Sequence, residues 1–312
     1  MNTIAPQVGI DVSLNELVVS LEQRTPFRIA NTLEGCKQLV AKLPQGAVTH
    51  LEASGGYERL VHRTLRAAGF KVVLHNPLKA RRMAQALGTR AKTDPVDAVV
   101  LSRDGAKLPE CSTKCEFRQH LADHSRAIEV LKDVVADMKK RMRMPDLDEK
   151  AKNLYERSIK ALQKQIKEEE LEYHQRVKDS PAANEHRFIE SVPALGKATA
   201  RVLYCELPED FRQRTPEQLS SYSGLAPIDN SSGKRQGRSR LGRGNSRIKK
   251  ALYMPAVCAV RTQTWARDLY ARLKAKGRAH QACIVAVMRR LLLRAIAVLQ
   301  RGSIWLIEPQ KP

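Results

Sequence analysis

The amino-acid sequence predicts an α/β domain built on a mixed β-sheet, followed by a mostly helical remainder. Three observations predict it. Short β-rich runs at 7–12, 16–22, 26–30, 47–52 and 71–75 alternate with helical patterns at 33–43, 56–68, 78–87 and 95–104. From about 116 to 178 apolar residues recur at spacings of three and four. Residues 181–312 read as helical and carry 24 Lys and Arg against 9 Asp and Glu.

The first run, Val8-Gly9-Ile10, ends at Asp11, and Glu16 to Leu21 follows closely enough to pair with it as a hairpin. A carboxylate flanked by Ile10 and Val12 in an apolar strand needs a reason to be there. Glu52 closes Val48-Thr49-His50-Leu51 and opens onto Ala53-Ser54-Gly55-Gly56, the kind of strand end where α/β proteins place chemistry. In Lys92-Thr93-Asp94-Pro95-Val96-Asp97, Asp94 is placed to cap a helix, and Pro95 sits in a first turn that has no use for its missing N–H. The spacing of three puts Asp94 and Asp97 on one helical face. Three strands in succession, then strand alternating with helix, is the order of a ribonuclease H-like fold. This region is assigned to residues 1–108.

The next region, 109–180, changes character. Leu121, His124, Ile128, Leu131, Val135, Met138 and Met142 form one heptad series. After Met144-Pro145, Tyr155, Ile159, Leu162, Ile166, Glu169 and Tyr173 form another. Each helix would reach roughly 40 Å. The pair reads either as a hairpin within one chain or as a coiled coil that makes a homodimer or tetramer.

Residues 181–312 form the third region. Ser191-Val192-Pro193-Ala194-Leu195-Gly196-Lys197 has the form of a helix-hairpin-helix turn, which offers backbone N–H groups and Lys197 to a phosphate; a plain helix–helix turn has the same pattern. Further on, Lys234, Arg235, Arg238, Arg240, Arg243, Arg247, Lys249 and Lys250 form a flexible, glycine-rich basic loop with no acid from Asn230 through Ala266. A charge run is usually a solvated face, but one without compensating acids favours phosphate contact. Only 14 of 312 residues are Phe, Trp or Tyr and none lies in the loop, so recognition through backbone and shape is expected rather than base stacking.

The net charge of +22 points to nucleic acid as partner. Six cysteines, at 36, 111, 115, 205, 258 and 283, are too scattered for a disulfide framework, and Cys111 and Cys115 lack a second ligand pair for zinc. No basic and apolar leader opens the sequence, and the longest apolar stretch, 251–260, is too short to span a bilayer. A cytoplasmic, nucleoid-acting protein without membrane association is expected.

Four acids in a basic chain, Asp11, Glu52, Asp94 and Asp97, together suit a hard divalent cation such as Mg2+, which takes oxygen ligands. Two such ions about 4 Å apart clamp the attacking and leaving oxygens of a phosphoryl transfer. Taken singly, Asp94 is a helix cap, Asp97 a first-turn acid favoured by the helix dipole, and Glu52 a strand-end acid. The residues read alone also fit a RuvC-like nuclease or junction resolvase with water as nucleophile, or a binding protein without catalysis.

Gly9-Ile10-Asp11-Val12-Ser13, Leu51-Glu52-Ala53-Ser54-Gly55-Gly56-Tyr57, His75-Asn76-Pro77 and Lys92-Thr93-Asp94-Pro95-Val96-Asp97-Ala98 resemble the RuvC-like domain of DEDD-type insertion-sequence transposases. These transposases are relatives of the Piv/MooV invertases and are bridge-RNA-guided serine recombinases. Ser191-Val192-Pro193, Ser223-Gly224-Leu225-Ala226-Pro227, Ser232-Gly233 and Ala251-Leu252-Tyr253-Met254-Pro255-Ala256 are similar to the transposase domain of that family. The resemblance implies that the four acids bind magnesium. It further implies that a serine, Ser232 in register from Leu225-Ala226-Pro227 with Ser231 as a substitute, attacks double-stranded DNA to form a phosphoserine intermediate. It implies as well that a bridge RNA guides the choice of donor and target.

Overall fold

The computed structural model describes residues 5–21, 25–88, 93–228, 231–232, 235–236 and 240–306. It divides into two units, Met1–Thr113 and Lys114–Pro312. In the first, β1 (Gln7–Val12), β2 (Glu16–Leu21) and β3 (Phe27–Ala30) form an antiparallel meander. Ser13 closes the first turn, its Oγ accepting from the Glu16 N–H at 3.1 Å. After α1 (Leu33–Lys42), capped by Thr32, β4 (Val48–Glu52) returns parallel to β1; after α2 (Arg59–Ala67), β5 (Lys71–His75) lies parallel to β4. The sheet order β3-β2-β1-β4-β5 is that of the mixed ribonuclease H-like sheet the sequence predicts.

Strand alternation divides the side chains between two faces. On one, Val8, Ile10, Val12 and Leu51 are buried with Cys36 and Leu39 of α1 and Val61 and Leu65 of α2. Each fully buried Ile or Leu contributes about 1.5–3 kcal/mol. On the other face lies α4 (Asp94–Asp104), which follows α3 (Pro77–Ala86) and ends in a 3-10 turn, Gly105–Lys107. Asp94 is the first helical residue and Thr93 the extended residue before it, one position earlier than the capping role expected for Asp94.

The second unit begins with α5 (Glu116–Arg141) and α6 (Glu149–Lys178), which lie side by side. Leu121, Ile128, Val135, Ile159, Ile166 and Tyr173 of the heptad series are buried, and the polar members His124 and Glu169 pair at 2.9 Å. These helices share one core with α7 (Ala182–Glu190), α8 (Lys197–Glu206), α9 (Pro216–Tyr222), α10 (Ser246–Thr262), α11 (Thr264–Ala275) and α12 (His280–Arg301). The helical pair expected at 109–180 therefore packs within the second unit, because its apolar stripe continues into the core of the helices that follow. Arg201 of α8, fully buried, ties the layers together: it donates to the Ser125 carbonyl at 3.0 Å and to Glu129 at 2.7 Å, both on α5. Among the described residues no helix is long and apolar enough to cross a membrane.

His186 sits in this core with its tautomer set by its partners. Nδ1–H donates to the Ala182 carbonyl at 2.9 Å, leaving Nε2 to accept from the Tyr173 hydroxyl at 3.1 Å. Burial pushes its pKa down to about 4. The unfolded chain therefore binds a proton near pH 6.5 that the folded one refuses, and stability present above that pH is lost as pH falls toward 4. The full effect is up to about 3 kcal/mol. Both tryptophans, Trp265 and Trp305, lie in this unit, so urea unfolding followed by indole fluorescence reports it alone. The unfolding free energy is expected to drop between pH 6.5 and 4, and His186→Gln is expected to flatten that drop.

Candidate active site and nucleic-acid surface

Asp11 and Glu52 are brought together by strand register. Ile10 pairs with Leu51 in the parallel β1–β4 ladder, so the next residues, Asp11 and Glu52, stand side by side at the ends of adjacent strands. Both are half-buried, and both point to the α4 face, because Ile10 and Leu51 point to the other. The helix approaches closely because position 9 is glycine. A Cβ there would lie 2.0 Å from the Ala98 carbonyl oxygen and 2.4 Å from the Ser102 nitrogen. Ser20 and Ser102 hydroxyls bond at 3.1 Å beside this contact. Asp97 directly precedes Ala98 and is half-buried; Asp94, a turn earlier, is exposed.

Asp11 and Glu52 thus share the sheet face that α4 covers, and Asp94 and Asp97 lie in the first turn of that helix. Among the described residues, no three His, Cys, Asp or Glu side chains converge on a single ion position. A strand-borne carboxylate pair nonetheless fits magnesium, which is held by one or two carboxylates while substrate phosphates and water complete its shell.

Beneath this face lies a pair that sequence reasoning did not single out, His50 and His75. His50 Nδ1 is 2.9 Å from His75 Nε2, and the rings stack at 5.2 Å. Gln7 fixes the proton order: its Nε2 donates to the Ala5 carbonyl, so its Oε1 accepts from His50 Nε2–H at 2.7 Å. His50 Nδ1 is then the acceptor for His75 Nε2–H. Burial, then the neighbouring His75 and Lys71, pushes His50 down to about 4, and burial also lowers His75. Burial thus disfavours charge on this pair, which lies on the same sheet face as the acids. The only sequence signal was a polar residue at an inward strand position. The loop after Glu52 is shaped by buried Glu58, whose carboxylate accepts from the Ser54 and Gly56 N–H groups at 3.0 and 2.9 Å.

In the second unit the turn at 191–196 joins α7 to α8, with Gly196 and Lys197 exposed and no side chain capping α8. Ala194 holds φ +76° there. The basic loop expected to be flexible is, in its described part, a β-arm: β6 (Pro227–Ile228) pairs with β9 (Arg240–Leu241), and β7 (Ser231–Ser232) with β8 (Arg235–Gln236). Ser232 stands opposite Arg235. Lys234 and Arg238 lie outside the described residues. Arg243 and Arg247 are exposed and Lys249 half-buried. Two cations have acid partners that a local reading misses: Lys250 pairs with Asp133 of α5, and Arg247 is 4.0 Å from Glu206 of α8.

A mixed sheet of this order, with carboxylates on adjacent strands and on the helix packed over them, fits the α/β fold of a RuvC-like DEDD protein. Residues 8–144 match the transposase profile of the DEDD, IS110 type, and residues 186–271 match the transposase IS116/IS110/IS902 family. The pilin gene-inverting protein of Moraxella bovis is 30% identical over 270 residues, covering 81% of this chain and 80% of that protein. Its counterpart in Moraxella lacunata is 30% identical over 269 residues with the same coverage. An uncharacterized 43.6 kDa protein of insertion element IS110 from Streptomyces coelicolor is 29% identical over 116 residues, 37% of this chain and 29% of that protein. The chain belongs to the IS110 family of DEDD-type insertion-sequence transposases, enzymes of DNA recombination.

Gly9→Ala is expected to push α4 off the sheet. Overpacking of this kind costs about 3 kcal/mol, and displacing Asp97 is expected to slow strand cleavage about 100-fold. Hydrogen exchange of the α4 amides and cleavage of supercoiled DNA check this; wild-type values in both would refute the role assigned to the contact.

Proposed function

We propose that this transposase cuts and rejoins double-stranded donor and target DNA through a covalent phosphoserine intermediate, with Ser232 as nucleophile and Ser231 as its substitute. The observation that carries the acidic half is the register that stands Asp11 beside Glu52 under α4. These acids, with Asp94 and Asp97, would hold Mg2+. When bound, the ion supplies positive charge to the phosphate and eases deprotonation of the nucleophile. A serine hydroxyl needs such help, being a weak nucleophile at its ordinary pKa.

In the step itself the serine Oγ bonds to phosphorus, one bridging P–O bond breaks, and the departing deoxyribose oxygen takes up the proton the serine gives up. Attack of a deoxyribose hydroxyl on the phosphoserine reverses this and seals the new junction. No oxidant or nucleotide is consumed, because one phosphodiester is exchanged for another. Lys197 at the uncapped start of α8, with Lys234, Arg235, Arg238, Arg240, Arg243, Arg247, Lys249 and Lys250, supplies phosphate contacts. The family resemblance and the charge support a bridge RNA as guide, and the heptad-bearing helices α5 and α6 support a homodimer or tetramer as the working assembly.

Trapping with denaturant during recombination of supercoiled DNA tests the nucleophile. Protein-linked DNA is expected from the wild-type chain and none from the Ser231→Ala, Ser232→Ala double variant; free ends without linked protein would mean that water attacks instead. Asp11→Asn is expected to abolish cleavage while leaving nucleic-acid affinity within about twofold, since a uniform phosphate-contact surface is left untouched. Retained cleavage would sink the metal assignment.

A further inference from the structure

The serine-bearing arm leaves the helical body after α9 and returns to it at α10, and its two ends meet backbone to backbone. Gly224 holds φ +67°, and a Cβ on Gly244 would lie 2.2 Å from the Gly224 nitrogen. The Asn245 N–H donates to the Tyr222 carbonyl at 3.0 Å. Asn245 then does two things with one side chain. Its Oδ1 accepts from the Arg247 and Ile248 N–H groups at 3.0 and 3.3 Å, capping α10, while its Nδ2 donates to Glu206 Oε2 at 2.8 Å.

Glu206 ends α8 and is only 3% exposed. Its Oε1 accepts from Arg126 Nε of α5 at 2.8 Å, and its main-chain carbonyl accepts from the Tyr222 hydroxyl at 3.1 Å. Burial raises the carboxyl, but hydrogen bonds from Arg126 and Asn245 and the charges of Arg126 and Lys114 more than offset it, leaving the pKa below the usual Glu range. Donors from α5, α9 and α10 therefore converge on the last residue of α8, at the root of the arm.

Capping alone does not require this. Ser, Thr and Asp cap as well as Asn, and a buried carboxylate carries a desolvation cost that a plain helix joint avoids. Asn is the capping residue that offers an acceptor to the helix and a separate donor to a buried charge. We infer that Glu206 and Asn245 form a clasp that positions the arm, and through it Ser232, for attack on the phosphate; this rests on the serine reading above. Ser232 lies five residues beyond Pro227 in sequence. A misplacement of a nucleophile by about 1 Å costs on the order of a hundredfold in rate.

Asn245→Asp separates the two roles, because it keeps the cap and sets a second carboxylate against Glu206. The rate of protein-linked DNA formation at saturating DNA is expected to fall about tenfold or more, with DNA affinity unchanged. That rate should partly recover as pH falls, since two facing carboxylates share a proton; Arg126, Lys114, Arg247 and Tyr222 are the other charged or titratable groups around them. The swap Glu206→Gln, Asn245→Asp reverses the donor and acceptor, leaves the new amide oxygen free to accept from Arg126, and is expected to restore most of the rate. It also decides the matter should the single variant fail to fold. A wild-type rate in Asn245→Asp, or a swap that folds and binds DNA yet stays slow, overturns the clasp. Absence of linked DNA from the wild-type chain instead overturns the serine reading, and the clasp with it.

Discussion

The placement of α4 rests on a missing side chain. At Gly9 the helix backbone touches the strand backbone, and any Cβ would meet the Ala98 carbonyl oxygen. The position of Asp97 relative to the strand acids depends on that approach. Asp11 and Glu52 are fixed by the β1–β4 ladder, whereas Asp97 is fixed only by where its helix lies. Apolar packing on Leu101 and the hydrogen bond between the Ser20 and Ser102 hydroxyls hold helix and sheet together beside the acids. Rigid elements suit the proposed role better than loops, because they keep the spacing of the side chains they carry.

A comparable logic runs through the second unit, where charges rather than glycine set the contacts. Arg201 and Arg118 are buried beside aromatic rings, and each meets main-chain carbonyls as well as a carboxylate. Arginine suits such positions because its planar fork satisfies several acceptors at once. These anchors are specific to register: a slip of one helical position would leave a buried guanidinium without partners, at a cost of several kcal/mol.

Much of the fold was legible because periodicity reports burial directly. Val8, Ile10 and Val12 line one face of β1 as strand alternation predicts, and the α5 and α6 stripes at Leu121, Ile128, Ile159 and Ile166 are the buried ones. The places of the four acids were legible for a related reason: Asp11 and Glu52 fall at the ends of apolar strand runs, and Asp94 and Asp97 at the start of a helical one. His50 and His75 were not, because their partnership is set by the β4–β5 register and by Gln7 on a third strand. Charge balance was misjudged in the same way. Asn230 through Ala266 holds no acid, yet Glu206 and Asp133 reach Arg247 and Lys250 from helices far away in sequence. Local composition counts neighbours along the chain, whereas screening depends on neighbours in space.

The difference between the two candidate halves follows from what each must do. The role proposed for the acids asks them to stay still, and they sit on a sheet and on the helix packed against it. A nucleophile must reach a phosphate, release it to a second strand and return, which a residue locked in a core cannot do. In its described part the arm consists of two two-residue ladders that stand outside the helical core. Its aim must then come from its root. There the sequence places glycines where two backbones touch, and an asparagine whose one side chain closes a helix and grips a buried carboxylate. Holding the root of the arm and carrying the proposed nucleophile are thus assigned to different residues, so the clasp can be altered by substitution without altering Ser232.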